Sequence, residues 1–205
     1  MYIKILLVAL FIMSQHAYSE SYEALEIYSQ DGLNKLIYKN KHLQKVKADD
    51  CQLVEDIKAH AIKANEPSFA YLWGDMLAWG VCVESDPDLG LFYIKKSAKQ
   101  GLLPALEQLG RYHERGILVE KNLGKAIIYY REAALQGYVK AQMSYIEMLL
   151  QGHGSPLDYE DAYLLLFNRV MKDKKQHKKA EILLNKLAEK MPNYAVERAK
   201  YIKMF

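Results

Sequence analysis

Apolar residues, small residues and glycines recur along the chain at a spacing of 36 residues. Repeats of this length are typical of helical arrays, in which each unit buries its apolar face against the next unit. The pattern predicts an all-α protein, an α/α solenoid of helix-turn-helix repeats. The positions that match from unit to unit are Phe69, Ala105 and Ala141; Gly74 and Gly110; Met76, Tyr112 and Met148; Gly80, Gly116 and Gly152; Tyr93 and Tyr129; Ala98 and Ala134; and Gly101 and Gly137.

Each unit is predicted to contain two helices joined by a turn. Ala105, Leu109 and Tyr112 fall on one face at about 100° per residue, and Gly116 suits the left-handed conformation that commonly ends a helix. The second helix of this unit is predicted to begin at Asn122. Good N-cap residues recur at that position in every unit, because their side-chain oxygens accept bonds from free backbone N–H groups. This cap series is Asp50, Asp86, Asn122 and Asp158.

The cap series extends the array beyond its three clear units to about five. A degenerate first unit and a divergent last pair are expected, because a terminal repeat has one face in water. The first unit is predicted to end at Asn65, and the last pair to be broken at Pro192. The predicted helices of these two units are Asp31–Leu43, Asp50–Ala64, Gln176–Glu189 and Asn193–Lys203.

The first nineteen residues have the pattern of a secretory signal peptide. Lys4 precedes the apolar run Ile5–Met13, which is too short to span a bilayer, and a small-x-small sequence follows at residues 17–19. A retained anchor is the alternative. We therefore predict a removed leader at 1–19, an N-terminal segment with the degenerate repeat at 20–66, three well-formed repeats at 67–171, and a C-terminal helical pair at 172–205.

Charge and residue spacing argue against several classes of function. The net charge is +3, and it falls to +2 without the leader, whose one charged residue is Lys4. A nucleic-acid binder would normally carry a concentrated basic face. The histidines are scattered, the sequence around Gly152-His153-Gly154-Ser155 does not complete a nucleophile motif, and helix capping accounts for Asp158 and Asp161 without a metal. We expect no cofactor, no metal and no enzymatic activity.

The two cysteines, Cys51 and Cys82, are predicted to form a disulfide. An even number of cysteines in an exported chain favours one. The array places Cys51 beside a predicted cap and Cys82 in a turn of the next unit, and such turns fall along one edge of a solenoid. Two unrelated buried thiols are the alternative.

Helical phase predicts a partner-binding row on the face of each first helix that turns away from its paired helix, the face that lines the groove of a solenoid. The charges at Asp75, Arg111 and Glu147 alternate in sign and can satisfy one another, whereas apolar neighbours on the row suggest a partner. Packing against an adjacent helix is the alternative for the apolar members. The predicted binding residues are Tyr71, Asp75, Glu107, Arg111, Glu114, Met143, Glu147 and Leu150.

The basic run Lys172–Lys179 is the strongest local charge feature. It is interpreted as a solvated turn and helix start between units. The alternative is an electrostatic dock for an acidic partner or for the cell wall, with strong salt dependence.

The unit pattern Pro104-Ala105, Leu109-Gly110, Tyr112, Gly116, Lys125-Ala126, Tyr130, Ala133-Ala134 and Gly137 resembles the Sel-one-like repeat family, relatives of the tetratricopeptide repeats. That resemblance covers most of the chain and implies an adaptor in larger protein assemblies.

Three more specific stretches resemble a family of periplasmic components of the sodium-driven polar flagellar motor. This second resemblance implies a place in the T ring beneath the basal body, with a MotY-like ring protein and a PomB-like stator protein as partners. A periplasmic or secreted adaptor unrelated to motility is the alternative. The stretches are residues 72–83, 105–112 and 154–163.

Overall fold

The computed structural model describes residues 28–169, 171 and 173–202. The predicted leader therefore lies outside the described residues. Within that part of the chain every regular element is helical and no strand occurs, as predicted. None of the helices there is both long enough and apolar enough to cross a membrane.

Three helix pairs repeat the same geometry along the chain. The first helices begin at Pro67, Leu103 and Val139, and the second helices begin at Pro87, Leu123 and Tyr159, so both series advance by the predicted 36 residues. The first pair is α4 (Pro67–Trp79) and α5 (Pro87–Lys99), the second is α6 (Leu103–Arg115) and α7 (Leu123–Leu135), and the third is α8 (Val139–Leu150) and α9 (Tyr159–Phe167).

Local signals at the helix ends explain this regularity. Asp86 accepts a bond from the backbone N–H of Leu89, and Asn122 accepts one from Lys125, so both predicted caps are confirmed. Gly80 and Gly116 end α4 and α6 in the left-handed conformation, with φ of 61° and 70°. Asp158 precedes α9 without a side-chain cap bond, because a 3-10 turn, Pro156–Asp158, starts that helix instead.

Glycines allow the helices of the first pair to approach closely. A Cβ atom on Gly90 would lie 2.6 Å from the backbone nitrogen of Ala78, and one on Gly74 would lie 2.8 Å from the carbonyl oxygen of Gly90. Real Cβ atoms are not found at such distances, so only glycine permits α4 and α5 to pack at this separation.

The segment before the repeats departs from its prediction. The expected helix Asp31–Leu43 is divided at Asn40, which has φ of 55°, and Asp50 is not an N-cap. Asp50 has φ of 51° and lies in the turn that ends α2, because aspartate tolerates the left-handed conformation there. Asn65 ends the unit in the left-handed conformation at the predicted position. The elements are α1 (Gln30–Tyr38), α2 (His42–Ala48), α3 (Val54–Ala59) and a π-helical turn (His60–Ala64).

Two helices follow the three pairs, close to their predicted bounds. They are α10 (Lys174–Ala188) and α11 (Asn193–Tyr201), and Pro192 immediately precedes α11. Helix α10 packs against α8 and α9, whereas α11 packs against α9.

Candidate interaction surfaces

A disulfide joins Cys51 and Cys82, with a Cα–Cα distance of 5.5 Å. Cys51 lies in the turn after α2 and Cys82 in the turn between α4 and α5. Both have a positive φ, near 60°. The predicted disulfide is therefore present, and it fastens the helices before the repeats to the end of the first repeat helix.

The helices α1 and α2 lie against the first-helix face, which we define as the face formed by α4, α6 and α8. The side chain of Ser68 on α4 donates to Asn34 on α1. Farther along, the ring of Tyr38 meets the ring of Tyr138 edge-on at 5.4 Å, and Lys140 donates to the Tyr38 carbonyl oxygen at 2.9 Å. The N-terminal helices therefore reach from the first repeat to the start of the third.

A buried polar network stands where α2 meets the first-helix face. His42 Nε2 lies 2.7 Å from Asp75 Oδ2, and these residues are only 2% and 3% exposed. Gln108 Nε2 donates to Asp75 Oδ1 at 2.5 Å and to the hydroxyl of Tyr112 at 2.7 Å. Tyr71 donates its hydroxyl proton to Gln108 Oε1. Three helices, α2, α4 and α6, are thus joined by side chains that cannot exchange these partners for water.

Burial keeps the tyrosine of this network neutral. It raises the pKa of the Tyr71 hydroxyl well above its ordinary value, and the nearby carboxylates of Asp75 and Glu107 add to that shift. Tyr71 therefore acts as a hydrogen-bond donor at any physiological pH.

The prediction that Tyr71, Asp75 and Met143 present a surface to a partner is wrong. All three are buried, with exposed fractions of 3%, 3% and 4%. The helix α2 covers Tyr71 and Asp75 through His42, whose ring lies 5.2 Å from the ring of Tyr71. Met143 belongs to the hydrophobic core on α8, the helix against which α10 packs. Helical phase identified the correct face, but the chain itself occupies that face.

The other five predicted residues remain partly exposed. Arg111 donates to Gln108 Oε1 at 3.2 Å, and Glu114 accepts from the hydroxyl of Tyr130 at 2.6 Å. Burial raises the pKa of the Glu107 carboxyl, although Arg111 opposes that shift. Leu150 packs at the edge of the core.

Contrary to the prediction, Asp75, Arg111 and Glu147, which all lie in the described part of the chain, form no ion pair with one another. Asp75 instead meets His42, and Glu147 pairs with Lys179 on α10 at 2.7 Å. Asp75 and Glu147 therefore find their partners on elements whose positions helical phase alone did not predict, whereas Arg111 donates to Gln108 on its own helix.

Much of the basic run forms the start of α10. Asp173 caps this helix by accepting from the backbone N–H of Gln176 at 2.8 Å. The side chains of Lys174, Lys175 and Lys178 are exposed. This placement agrees with a solvated helix start, and it leaves the docking alternative as a prediction.

An open cleft lies on the opposite side of the repeats, between α5 and α7. Its volume is about 610 Å³, and its lining includes the apolar residues Leu106 and Leu109 of α6 and Tyr129 of α7. Phe92 stands at the cleft and is 58% exposed, and Ile128, one repeat later, is 62% exposed. Sequence reasoning overlooked this pair, although two large apolar residues at the same position of successive repeats were a usable signal.

Potential metal ligands are scattered over the described part of the chain. There, no group of three or more histidine, cysteine, aspartate or glutamate side chains is placed to hold an ion.

Comparison with known proteins agrees with this architecture. The Sel1 repeat family matches residues 67–102 and 103–138. The sodium-type polar flagellar protein MotX of Vibrio parahaemolyticus is 54% identical over 179 residues, which cover 87% of this chain and 85% of that protein.

A solved structure supports the fold alone. The protective antigen c5321, present in uropathogenic Escherichia coli strains and displaying an SLR fold, is 21% identical, with a TM-score of 0.51. The match covers 85% of this chain but only 41% of that structure.

Proposed function

Because the chain belongs to the family of the sodium-type polar flagellar protein MotX, we propose that it acts in the flagellar motor as a structural adaptor and not as an enzyme. In this role it forms a periplasmic ring with a MotY-like protein, and that ring recruits and anchors a PomB-like stator. The observation that carries the proposal is the 54% identity over 87% of the chain. The proposed leader at residues 1–19 would deliver the mature chain to the periplasm.

The architecture suits a part that must resist torque. Continuous packing runs from the N-terminal helices to α11, and the disulfide and the buried network tie α2 to the repeats. Close-packed interiors have low compressibility and transmit strain. An adaptor of this kind can hold a stator against the reaction force without any chemical step.

The proposed division of the chain follows from this role. The segment 20–66 braces the array, the repeats at 67–171 provide the platform, and the pair at 172–205 closes its far end. Glu107, Arg111, Glu114, Glu147 and Leu150 remain candidate partner contacts because they are partly exposed along the first-helix face.

Deletion of the gene tests the motor role. We expect cells that keep their flagella but do not swim, and swimming should return when the unaltered gene is supplied. Normal swimming of the deleted cells would contradict the motor role and favour an adaptor unrelated to motility.

Capture of purified partners tests the ring and the stator separately. We expect the mature chain to retain a purified MotY-like protein, and the two together to retain the periplasmic part of a PomB-like protein. A Leu157→Ser variant is a matched surface control, because Leu157 is 89% exposed and is not one of the candidate contacts. Failure to retain either partner would contradict the corresponding half of the proposal.

A further inference from the structure

One position of the repeat differs in its exposure to solvent among the three second helices. Phe92 on α5, Ile128 on α7 and Leu164 on α9 are equivalent in the 36-residue register. Phe92 and Ile128 are 58% and 62% exposed, whereas Leu164 is 9% exposed. The outward face of the third repeat is therefore covered, while those of the first two repeats are open.

A helix of this chain covers the third position. Helix α11 packs against α9, and Arg198 on α11 donates from Nε to Glu160 Oε1 at 2.7 Å. Near the end of the same contact, the Asn168 amide donates to the carbonyl oxygen of Ile202 at 3.5 Å. We define the second-helix face as the face formed by α5, α7 and α9. The chain thus contains its own example of a helix docked on this face, with a basic side chain matched to an acidic one.

The open cleft between α5 and α7 is basic, whereas the covered face of α9 carries the acidic Glu160. Lys95 and Lys99 line the cleft between α5 and α7, and Lys125 is exposed at the start of α7. Over the residues that the structure describes, no ion pair engages any of these three lysines. Lys96 differs from them, because its ammonium group donates to the Ala61 carbonyl oxygen at 3.4 Å. Glu132 contributes an acidic group to the lining.

We propose that the cleft between α5 and α7 receives an acidic amphipathic helix of a partner protein. Apolar side chains of that helix would enter the cleft over Leu106 and Tyr129 and contact Phe92 and Ile128, as in helix-in-groove recognition. Its carboxylates would face Lys95 and Lys99. This arrangement reverses the charges of the α9 contact, where the docked helix carries the basic Arg198 and the repeat carries the acidic Glu160. That the helix belongs to a motor protein rests on the proposed function.

A second copy of this chain fits the cleft less well. The helix that already docks on a second-helix face, α11, carries Arg198 and Lys200. Offered by another copy to the open cleft, these basic side chains would meet Lys95 and Lys99, and like charges in contact oppose association.

A peptide probe tests the chemistry of the cleft. The probe is an 18-residue amphipathic peptide with leucines on one face and glutamates on the other, and its control has lysines in place of the glutamates. Fluorescence anisotropy with the mature chain should show about tenfold tighter binding of the acidic peptide, which is about 1.4 kcal/mol. That preference should weaken as salt rises from about 0.05 to 0.5 M. Equal binding of the two peptides would overturn the assignment.

Two surface variants locate the binding. Phe92→Ser with Ile128→Ser should abolish peptide binding, and Lys95→Glu with Lys99→Glu should reverse the charge preference. The matched controls are Leu157→Ser for the apolar pair and Lys174→Glu with Lys175→Glu for the charge pair. All these side chains are exposed, so unchanged circular dichroism is expected and shows that a loss of binding is not a loss of fold. If only Lys174→Glu with Lys175→Glu loses binding, the proposal is overturned and the basic run at the start of α10 is the binding site. Self-association that Phe92→Ser abolishes would overturn it in favour of a second copy.

A localisation assay separates this inference from the proposed function. A fluorescently tagged unaltered chain should collect at the flagellar pole, whereas the Phe92→Ser, Ile128→Ser double variant should be diffuse. If the unaltered chain is itself diffuse, the motor role fails, whatever the peptide shows. If both proteins collect at the pole and support swimming, the motor role stands and the cleft is not the partner site.

Discussion

The first-helix face and the second-helix face are built from the same repeat unit, but they differ in what lies against them. On the first-helix face, α1 and α2 bury Asp75 and Tyr71 in a shared polar network. On the second-helix face of the first two repeats, Phe92 and Ile128 stand in solvent. The chain therefore covers part of the face on which a solenoid would be expected to bind partners, and it leaves the second-helix face of the first two repeats open.

This difference shows that the repeat determines on which side of its helix a residue lies, but not whether that side is exposed to solvent. Tyr71 and Phe92 both point away from the contact between α4 and α5, and their local sequences do not distinguish them. Accessibility is decided by segments outside the repeat, namely α1 and α2 on one side and α11 on the other. The following predictions test whether the first-helix face is a fixed structural contact and the second-helix face is free.

Replacing the central carboxylate of the network should have the largest effect. Asp75→Ala leaves His42 and Gln108 without their partner in a buried site, so the free energy of unfolding should fall by about 3–5 kcal/mol. Urea unfolding followed by circular dichroism measures this change. Asp88→Ala on the exposed side of α5 is the matched control and should change stability by no more than about 0.5 kcal/mol. Similar losses in the two variants would contradict the difference between the faces.

Removal of the disulfide should have the next largest effect and should act on one face. Cys51→Ser with Cys82→Ser releases a loop of 31 residues, which costs about 3–4 kcal/mol in the chain-entropy model. Hydrogen exchange should quicken most in α1 and α2 and little in α7. The unaltered chain with reductant should behave like the double variant. If hydrogen exchange becomes faster by the same factor along the whole chain, the disulfide does not stabilise the N-terminal helices in particular.

The far end of the N-terminal helices should contribute a smaller coupling. A double-mutant cycle of Tyr38→Ala and Tyr138→Ala should give an interaction energy of about 1 kcal/mol, because the two rings meet edge-on. Tyr38→Phe keeps the ring and should preserve that coupling. Additive effects of the two alanine substitutions would show that the ring contact does not help to hold α1 and would leave the bond from Lys140 to the Tyr38 carbonyl oxygen as its far attachment.

The smallest expected effect concerns the partly buried carboxyl of Glu107. Its pKa is raised in the folded state, so the folded chain holds this proton more tightly than the unfolded chain. Its contribution to stability therefore falls as pH rises from the ordinary pKa of a glutamate carboxyl through the raised pKa of the folded state. Glu107→Gln should remove that dependence and melt at or slightly above the temperature of the unaltered chain at pH 7. Glu132→Gln, an exposed control on α7, should leave the pH profile unchanged. A lower melting temperature of Glu107→Gln at pH 7 would show that the pairing with Arg111 outweighs the cost of burial.

The parts of the fold that the sequence predicted well are determined by interactions between residues close together in the chain. Asp86 and Asn122 cap their helices, and Gly80 and Gly116 end theirs, because each effect involves only a few neighbouring residues. The disulfide was also predicted correctly, although the cap at Asp50 beside which the register placed Cys51 does not form, since an even number of cysteines in an exported chain already favours pairing. Short-range geometry and a fixed period together determine these features.

Features that depend on tertiary placement were not predictable in the same way. Asp50 has a residue type that suits both an N-cap and a left-handed helix end, and the divided first helix decided in favour of the second. His42 has no equivalent in the repeats, so nothing in the 36-residue register pointed to its contact with Asp75. The buried members of the partner-binding row were misjudged for the same reason.

The hydrogen bond from Lys140 to the carbonyl oxygen of Tyr38 joins residues 102 positions apart. Neighbouring repeats can fold through near contacts alone, whereas a contact across so long a stretch of chain must first overcome the entropy of closing that loop. We expect α1, which is synthesised first, to dock last, once α4 to α8 have formed. The N-terminal helices are thus the last part of the chain to reach their final position. If synthesis stopped before Lys140, the released repeats would lack part of the surface against which those helices pack.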